Sequence, residues 1–365
     1  NLIQHKFKYF SIVLLISGVS FYFGSKLYVS MDPIKQFRDD HIVSQDFNGI
    51  EKLMGAASSL EIMIKVPKSN SVYDPKFLGQ VDNFLTWLNK QDYMNKSASA
   101  LDIIKNMNRN LHQGDKAYYV IPPTQEEVAQ TMLVYELGLP AGQNLEHWIS
   151  LKKDALRVTA YWTIHSSEKA LAVVEQINKY GKEHNINLQV TGKMPLFHNL
   201  TPYVVKTFFI SFITALVLIT GIMMLLLRSF KLGILTLIPN IFPLLIGGAL
   251  VYFLQWQVDI GIVIVASVCL GIAVDDSIHI LFEYQRLRSS GKIVEETFQI
   301  IFENTLPALF ITTLIICLGF GTFFLADYLP NSRFGVLVAI ILSIAFIADA
   351  LLFPVVMAIF DKNKD

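Results

Sequence analysis

Cysteine is nearly missing from this sequence of 365 residues. Cys269 and Cys317 are the only two, and both sit in apolar runs. Neither a disulfide framework nor a thiolate zinc site can be built from them, so they read as small packing residues. Net charge is missing as well: 30 basic and 30 acidic side chains cancel. That removes the electrostatic reason to expect a nucleic acid, and no basic stripe with interleaved aromatics replaces it. The motifs of common chemistry are also lacking. There is no metal-ligand cluster and no nucleophile elbow, while Gly291-Lys292 is followed by Ile293 and lacks the upstream glycine of a phosphate loop. No catalytic residue, metal or cofactor is therefore expected, and the chain does not read as an enzyme. The sequence starts at Asn1, and no small-residue cleavage site follows the first apolar segment. That segment reads as a membrane helix in a partial chain, not as a signal peptide.

What the sequence has in excess is apolar length. Hydrophobic residues make up 53% of it, too much for one soluble domain of this size, which predicts a membrane protein. An apolar run over 10–23 reaches spanning length when Phe7 and Tyr28 are included, and five more follow near 204–227, 232–254, 260–284, 306–325 and 334–360. The expected domains are a first transmembrane helix at 1–29, an α+β domain at 30–202 and a five-helix transmembrane domain at 203–365. Lys6, Lys8, Arg228, Lys231, Arg286, Arg288, Lys292, Lys362 and Lys364 fall on one side of these spans, whereas the short loops opposite hold only Arg333. Basic loops are cytoplasmic. Both termini are therefore expected inside, and the polar domain outside, of a multi-pass protein of the cell (inner) membrane. Ile293, Thr297, Ile300 and Ile301 share one helical face, which predicts a short helix lying along the inner surface.

The polar domain mixes two periods. Leu60, Ile62, Ile64 and Val66 alternate with mostly polar neighbours, as do Leu156, Val158, Ala160, Trp162 and Ile164, and both runs predict half-buried strands. Phe77, Leu78, Val81, Phe84, Leu85 and Leu88 recur at helical spacing, as do Ala170, Leu171, Val174 and Ile177, and Leu188 and Val190 open a further strand. The order suits a split βαβ sandwich. Thr124 and Glu127 form a capping-box pattern that predicts a helix over 125–137 ending at Gly138.

Charge inside the apolar runs is rare, and that makes Asp275 and Asp276 in the segment GIAVDDSIHILFEY conspicuous. An acid at membrane depth costs at least ~2.5 kcal/mol, and such residues mark ion pathways and proton relays. Asp275 lies 15 residues into its span, about 22 Å at ~1.5 Å per residue. Asp349 lies equally deep in the last one. His279 stands four residues after Asp275 and three after Asp276, within reach of either on a helix. Thr312 and Thr313 arrive at similar depth from the span between, so the expected polar layer is Asp275, Asp276, Asp349, His279, Thr312 and Thr313. Desolvation and a neighbouring carboxylate both favour the neutral form of a carboxyl group, which predicts a proton site. Pro239 and Pro243 predict a kink in their helix. Gly247-Gly248 and Gly319 to Gly321 predict close helix approach or bending. Asp259 reads as a helix N-cap, and Glu283 as a partner of Arg286.

The run from Arg228-Ser229 through Leu237-Ile238-Pro239-Asn240 and Pro243, then GIAVDDSIHIL, then Ala348-Asp349-Ala350-Leu351-Leu352 with Pro354, resembles the RND superfamily of exporters. The similarity is greatest to the MMPL-like and hopanoid-exporter-like branch, related to sterol-sensing domains and Patched. The resemblance implies a six-helix bundle in a 1+5 layout with a porter-like outer domain. It also implies proton-relay roles for Asp275 and Asp276, and export of a hydrophobic or amphiphilic substrate such as a lipid. One repeat of a two-repeat protein is implied, here the C-terminal half, so a second RND repeat in the same longer chain or a homo-oligomer is an expected partner beside membrane lipids and a periplasmic adaptor. The chain lacks the mid-membrane lysine of drug-efflux relatives, which excludes a direct copy of their mechanism. The alternatives to a proton-coupled exporter are a lipid- or sterol-sensing membrane protein without transport and, more remotely, an intramembrane aspartyl protease.

Overall fold

The computed structural model describes residues 3–27, 36–56, 58–68 and 70–360, without the side chains of residues 201, 202, 231 and 232. The chain divides into two compact units. One comprises Asn1–Met31, Gln36–Arg38 and Thr201–Asp365, the other Asp32–Lys35 and Asp39–Leu200.

The second unit is built on a four-stranded sheet. β1 (Ser58–Lys65), β2 (Met94–Ser99), β3 (Ala155–Trp162) and β4 (Asn187–Thr191) lie in the order β2-β3-β1-β4, with every neighbouring pair antiparallel. The alternation in β1 buries Ser58, Leu60, Ile62 and Ile64 on one face and turns Glu61 and Met63 to the other. Ile62 stands opposite Val158 on one side and Val190 on the other, so three strands bring their apolar residues to the same face. α3 (Pro75–Asn89) connects β1 to β2 across β3, and α6 (Ser167–Glu183) connects β3 to β4 across β1. These are two interleaved split βαβ units. α3 starts on the Asp74 cap with Pro75 in its first turn and buries the Phe77, Leu78, Val81, Phe84, Leu85 and Leu88 stripe. The stripe of α6 runs through Ala170, Val173 and Ile177.

Two α-helices and one strand of this unit lie outside the sequence expectation. α2 (Ile42–Met54) begins on His41, β2 is short and largely polar, and α4 (Ala100–Leu111) opens with a capping box between Ser99 and Asp102. α5 (Gln125–Leu137) has the expected bounds, and its Thr124–Glu127 box is formed in both directions. Trp162 is fully buried beneath these layers. Trp162→Ala is expected to destabilise this unit by ~3–5 kcal/mol, as large-to-small changes of buried aromatics do. Denaturant unfolding followed by near-ultraviolet circular dichroism reads the shift in midpoint.

Among the described residues, six helical stretches are long and apolar enough to span a membrane: Lys6–Gly24, Lys193–Leu227, Gly233–Phe253, Ile260–Ser289, Leu306–Leu325 and Leu329–Phe360. The corresponding elements are α1 (Lys6–Gly24), α7 (Lys193–Leu227), α8 (Phe230–Leu235) with α9 (Leu237–Phe253), α10 (Ile260–Ser289), α12 (Leu306–Gly321) and α13 (Leu329–Phe360). α13 packs on α1, α9, α10 and α12 and is the spine of the bundle. The α8–α9 break falls at Thr236, one turn before Pro239, whose missing N–H leaves the Leu235 carbonyl without its helical donor. Pro243 lies inside α9. A Cβ on Gly24 would come within 3.9 Å of the Gly248 backbone, and one on Gly247 would meet the Ile341 side chain at 2.4 Å. Small residues therefore set the α1–α9 and α9–α13 spacings. Gly319 and Gly321 meet nothing within 4 Å, so they do not mediate an approach of helices within the described chain. α11 (Val294–Asn304) turns Thr297, Phe298 and Ile301 inward to pack with Tyr284, Leu306 and Phe353, so much of its apolar face serves the bundle core while Ile293 stays exposed.

Candidate functional site

Successive residues of an α-helix point about 100° apart, from 3.6 residues per turn, so two adjacent acids cannot share one direction. On α10 the inward face runs through Ala273, Val274, Ser277 and Ile280. Asp276 lies at its border, half-buried, and Asp275 points outward with His279 one turn later. The expected single layer is thus divided.

The inner part has two centres. Asp276 accepts a hydrogen bond from the Thr313 hydroxyl of α12 at 3.3 Å, while that hydroxyl also lies 2.8 Å from the Leu309 carbonyl. Asp349 of α13 receives the Ser277 hydroxyl at 2.8 Å, and Ser277 lies 3.3 Å from the Asn240 side-chain oxygen. The Asn240 amide nitrogen donates to the Thr236 carbonyl at 2.8 Å, which ties the α8–α9 break to the acid. Thr312, by contrast, is exposed and bonds to the Leu309 carbonyl of its own helix at 2.9 Å. In this chain the inward layer therefore consists of half-buried Asp276 with buried Thr313, Asp349, Ser277 and Asn240, and Asp275, His279 and Thr312 lie on the outer surface of the bundle. Asn240 and Ser277 were not anticipated. Their signal in the sequence is slight: an amide between two prolines, and a hydroxyl directly after the acid pair.

At the other end of α10, Asp259 caps the helix by accepting from the Ile262 amide at 3.0 Å, and its second oxygen pairs with Arg333 at 3.2 Å. Glu283 pairs with Arg286 near the far end. An apolar cavity of about 320 Å³ lies between α1, α7, α9, α10 and α13, where Gly24, Gly247 and Gly248 leave room beside Phe208, Ile262 and Leu337. Leu27 joins it to a recess of about 400 Å³ bordered by Lys26, Tyr252, Gln255, Trp256 and Gln257. An apolar space with a mixed polar border suits an amphiphile.

Six membrane-length helices, with acids held between them and an apolar cavity along them, define a multi-pass membrane protein. The model of the MMPL family matches residues 78–363, well over half of the chain, and the chain belongs to that family. Members of the family are transporters, so the coarse function is transport of hydrophobic substrates. No curated protein shows a significant match to the chain.

Proposed function

We propose that the chain is one repeat of a proton-driven exporter of a hydrophobic or amphiphilic substrate such as a lipid, in the cell membrane. Its termini are cytoplasmic and residues 39–200 form an extracytoplasmic, porter-like domain. The observation that carries this reading is the pair Asp276 and Asp349. Both sit between apolar helices, and no lysine or arginine pairs with either among the described residues. Buried acids without a basic partner are expensive. A cycle in which protons enter and leave explains why they are there. The membrane potential acts on each such charge with ~2.3 kcal/mol per 100 mV, enough to bias two conformations. The Ser267, Gly271, Asp275 and His279 face of α10 is exposed, which supports a second repeat packed against it.

Reconstitution into liposomes with an imposed pH gradient tests the proposal, with movement of a fluorescent lipid analogue and internal pH recorded together. Substrate movement coupled to proton entry is expected. Retention of the analogue with no dependence on the gradient would turn the reading toward a lipid sensor. The cavity gives a further prediction. Ala266 lines it, so Ala266→Phe fills part of the space from α10. This variant is expected to lower export of the analogue several-fold while proton binding persists.

A further inference from the structure

Side chains from three helices meet between α9, α10 and α13, and the hydrogens they bring do not satisfy their oxygens. Asn240, Ser277 and Asp349 are 2%, 0% and 3% exposed. Because the Asn240 amide nitrogen is committed to the Thr236 carbonyl at 2.8 Å, its oxygen must face Ser277. A flipped amide would set two oxygens against each other. The single hydroxyl proton of Ser277 thus stands between two acceptors, Asn240 Oδ1 at 3.3 Å and Asp349 Oδ1 at 2.8 Å. Asp349 Oδ2, also buried, has no hydrogen-bond partner among the described residues. Unsatisfied buried acceptors are costly, most of all on a carboxylate.

Among the described residues of the helices around the cluster, no basic side chain makes up the deficit. α9 and α12 contain no lysine or arginine. The one arginine of α13, Arg333, is paired with Asp259, and Lys6 of α1 donates to the Ala358 carbonyl at 2.7 Å. On α10, Asp275 and His279 point away, Asp276 turns to Thr313, Glu283 is paired with Arg286, and Arg286 and Arg288 belong to the last turn. The titratable groups of α11 are glutamates in its first turn and Glu303. What the cluster offers is a surplus of hard oxygen donors, a ligand set suited to alkali and alkaline-earth ions and unsuited to soft metals. It also adjoins an interrupted helix, a setting in which transporters hold coupling ions.

We infer that Asn240, Ser277 and Asp349 form a binding site for one dehydrated sodium ion. The oxygens of Asp349, Ser277 Oγ and Asn240 Oδ1 are its side-chain ligands. As a coupling site it rests on the transport reading above, whereas as a binding site it stands alone.

The test is equilibrium binding of radioactive sodium to the full chain in lipid nanodiscs, with choline chloride holding ionic strength constant. Saturable binding is expected, displaced by unlabelled sodium but not by choline. Asp349→Asn is expected to abolish it, Ser277→Ala to weaken it about tenfold by removing one of few ligands, and Glu303→Gln on α11 to leave it unchanged. Absence of saturable binding in the wild-type chain overturns the inference, as does unchanged binding in Asp349→Asn. Should that variant fail to give a monodisperse particle, unchanged affinity in Ser277→Ala decides against the site. The two readings fail separately. Sodium binding without gradient-driven transport leaves the site and removes the exporter, and transport without sodium binding does the reverse.

Discussion

Asp276→Asn is expected to reduce pH-gradient-driven export to the level of empty liposomes while leaving the protein folded. The substitution keeps shape and keeps an acceptor: the asparagine oxygen can still receive the Thr313 hydroxyl that lies 3.3 Å from the carboxylate. What it removes is the capacity to take up and release a proton. Taking a charge out of an apolar bundle does not destabilise it. Loss of function with an unchanged or raised thermal midpoint is therefore the signature of a relay. The measurement pairs internal-pH recording in proteoliposomes with a melting curve of the same preparation. Undiminished proton entry would remove Asp276 from the mechanism. A fallen midpoint would recast the residue as a structural hydrogen-bond partner. Thr313→Val serves as the companion variant. It deletes the bond but not the acid, and is expected to slow export without abolishing it.

The elements were legible where one face of the chain is polar. β1 and β3 alternate cleanly because only one of their faces is buried. The α3 stripe and the Thr124–Glu127 box are likewise written in residue types. β2, with the sequence MNKSAS, carries no such pattern and is held by pairing to β3. The membrane helices pose the opposite problem. α10, α12 and α13 are apolar on every side, so periodicity marks their extent but not their orientation. That is why depth could be matched between positions 275 and 349 while the inward residue of the acid pair, and of Thr312 and Thr313, could not be chosen. Facing is decided by the packing of α13 against α10 and α12, which single-helix patterns do not contain. Asn240 and Ser277 escaped notice for the same reason. A lone small polar residue in a membrane helix is usually a packing residue, and only the convergence of three helices sets Ser277 on the Asp349 carboxylate and Asn240 on Ser277.

Gly271→Trp is expected to cost nearly as much transport as Asp276→Asn, for a reason that lies outside the described chain. A Cβ at Gly271 would meet nothing within 4 Å, so an indole there has room in this bundle and the helix should remain intact. The same face carries Ser267, Asp275 and His279, all exposed. Left against lipid, Asp275 alone would cost at least ~2.5 kcal/mol, whereas small and polar residues at four-residue spacing suit close contact with another helix. If a second repeat packs there, the tryptophan wedges the two apart and separates Asp275 from the groups it meets across the interface. Gly335→Trp supplies the contrast. Its Cβ would stand 2.3 Å from the Phe320 carbonyl oxygen and 2.5 Å from the Phe323 side chain, so that variant should lower the melting temperature as well as activity. Export and thermal midpoint measured for both variants separate the cases. Loss of export at Gly271 with an unchanged midpoint places a partner on this face. Full export there would mean that the face looks into lipid, and the exposed Asp275 and His279 would then need an account that does not involve a second repeat.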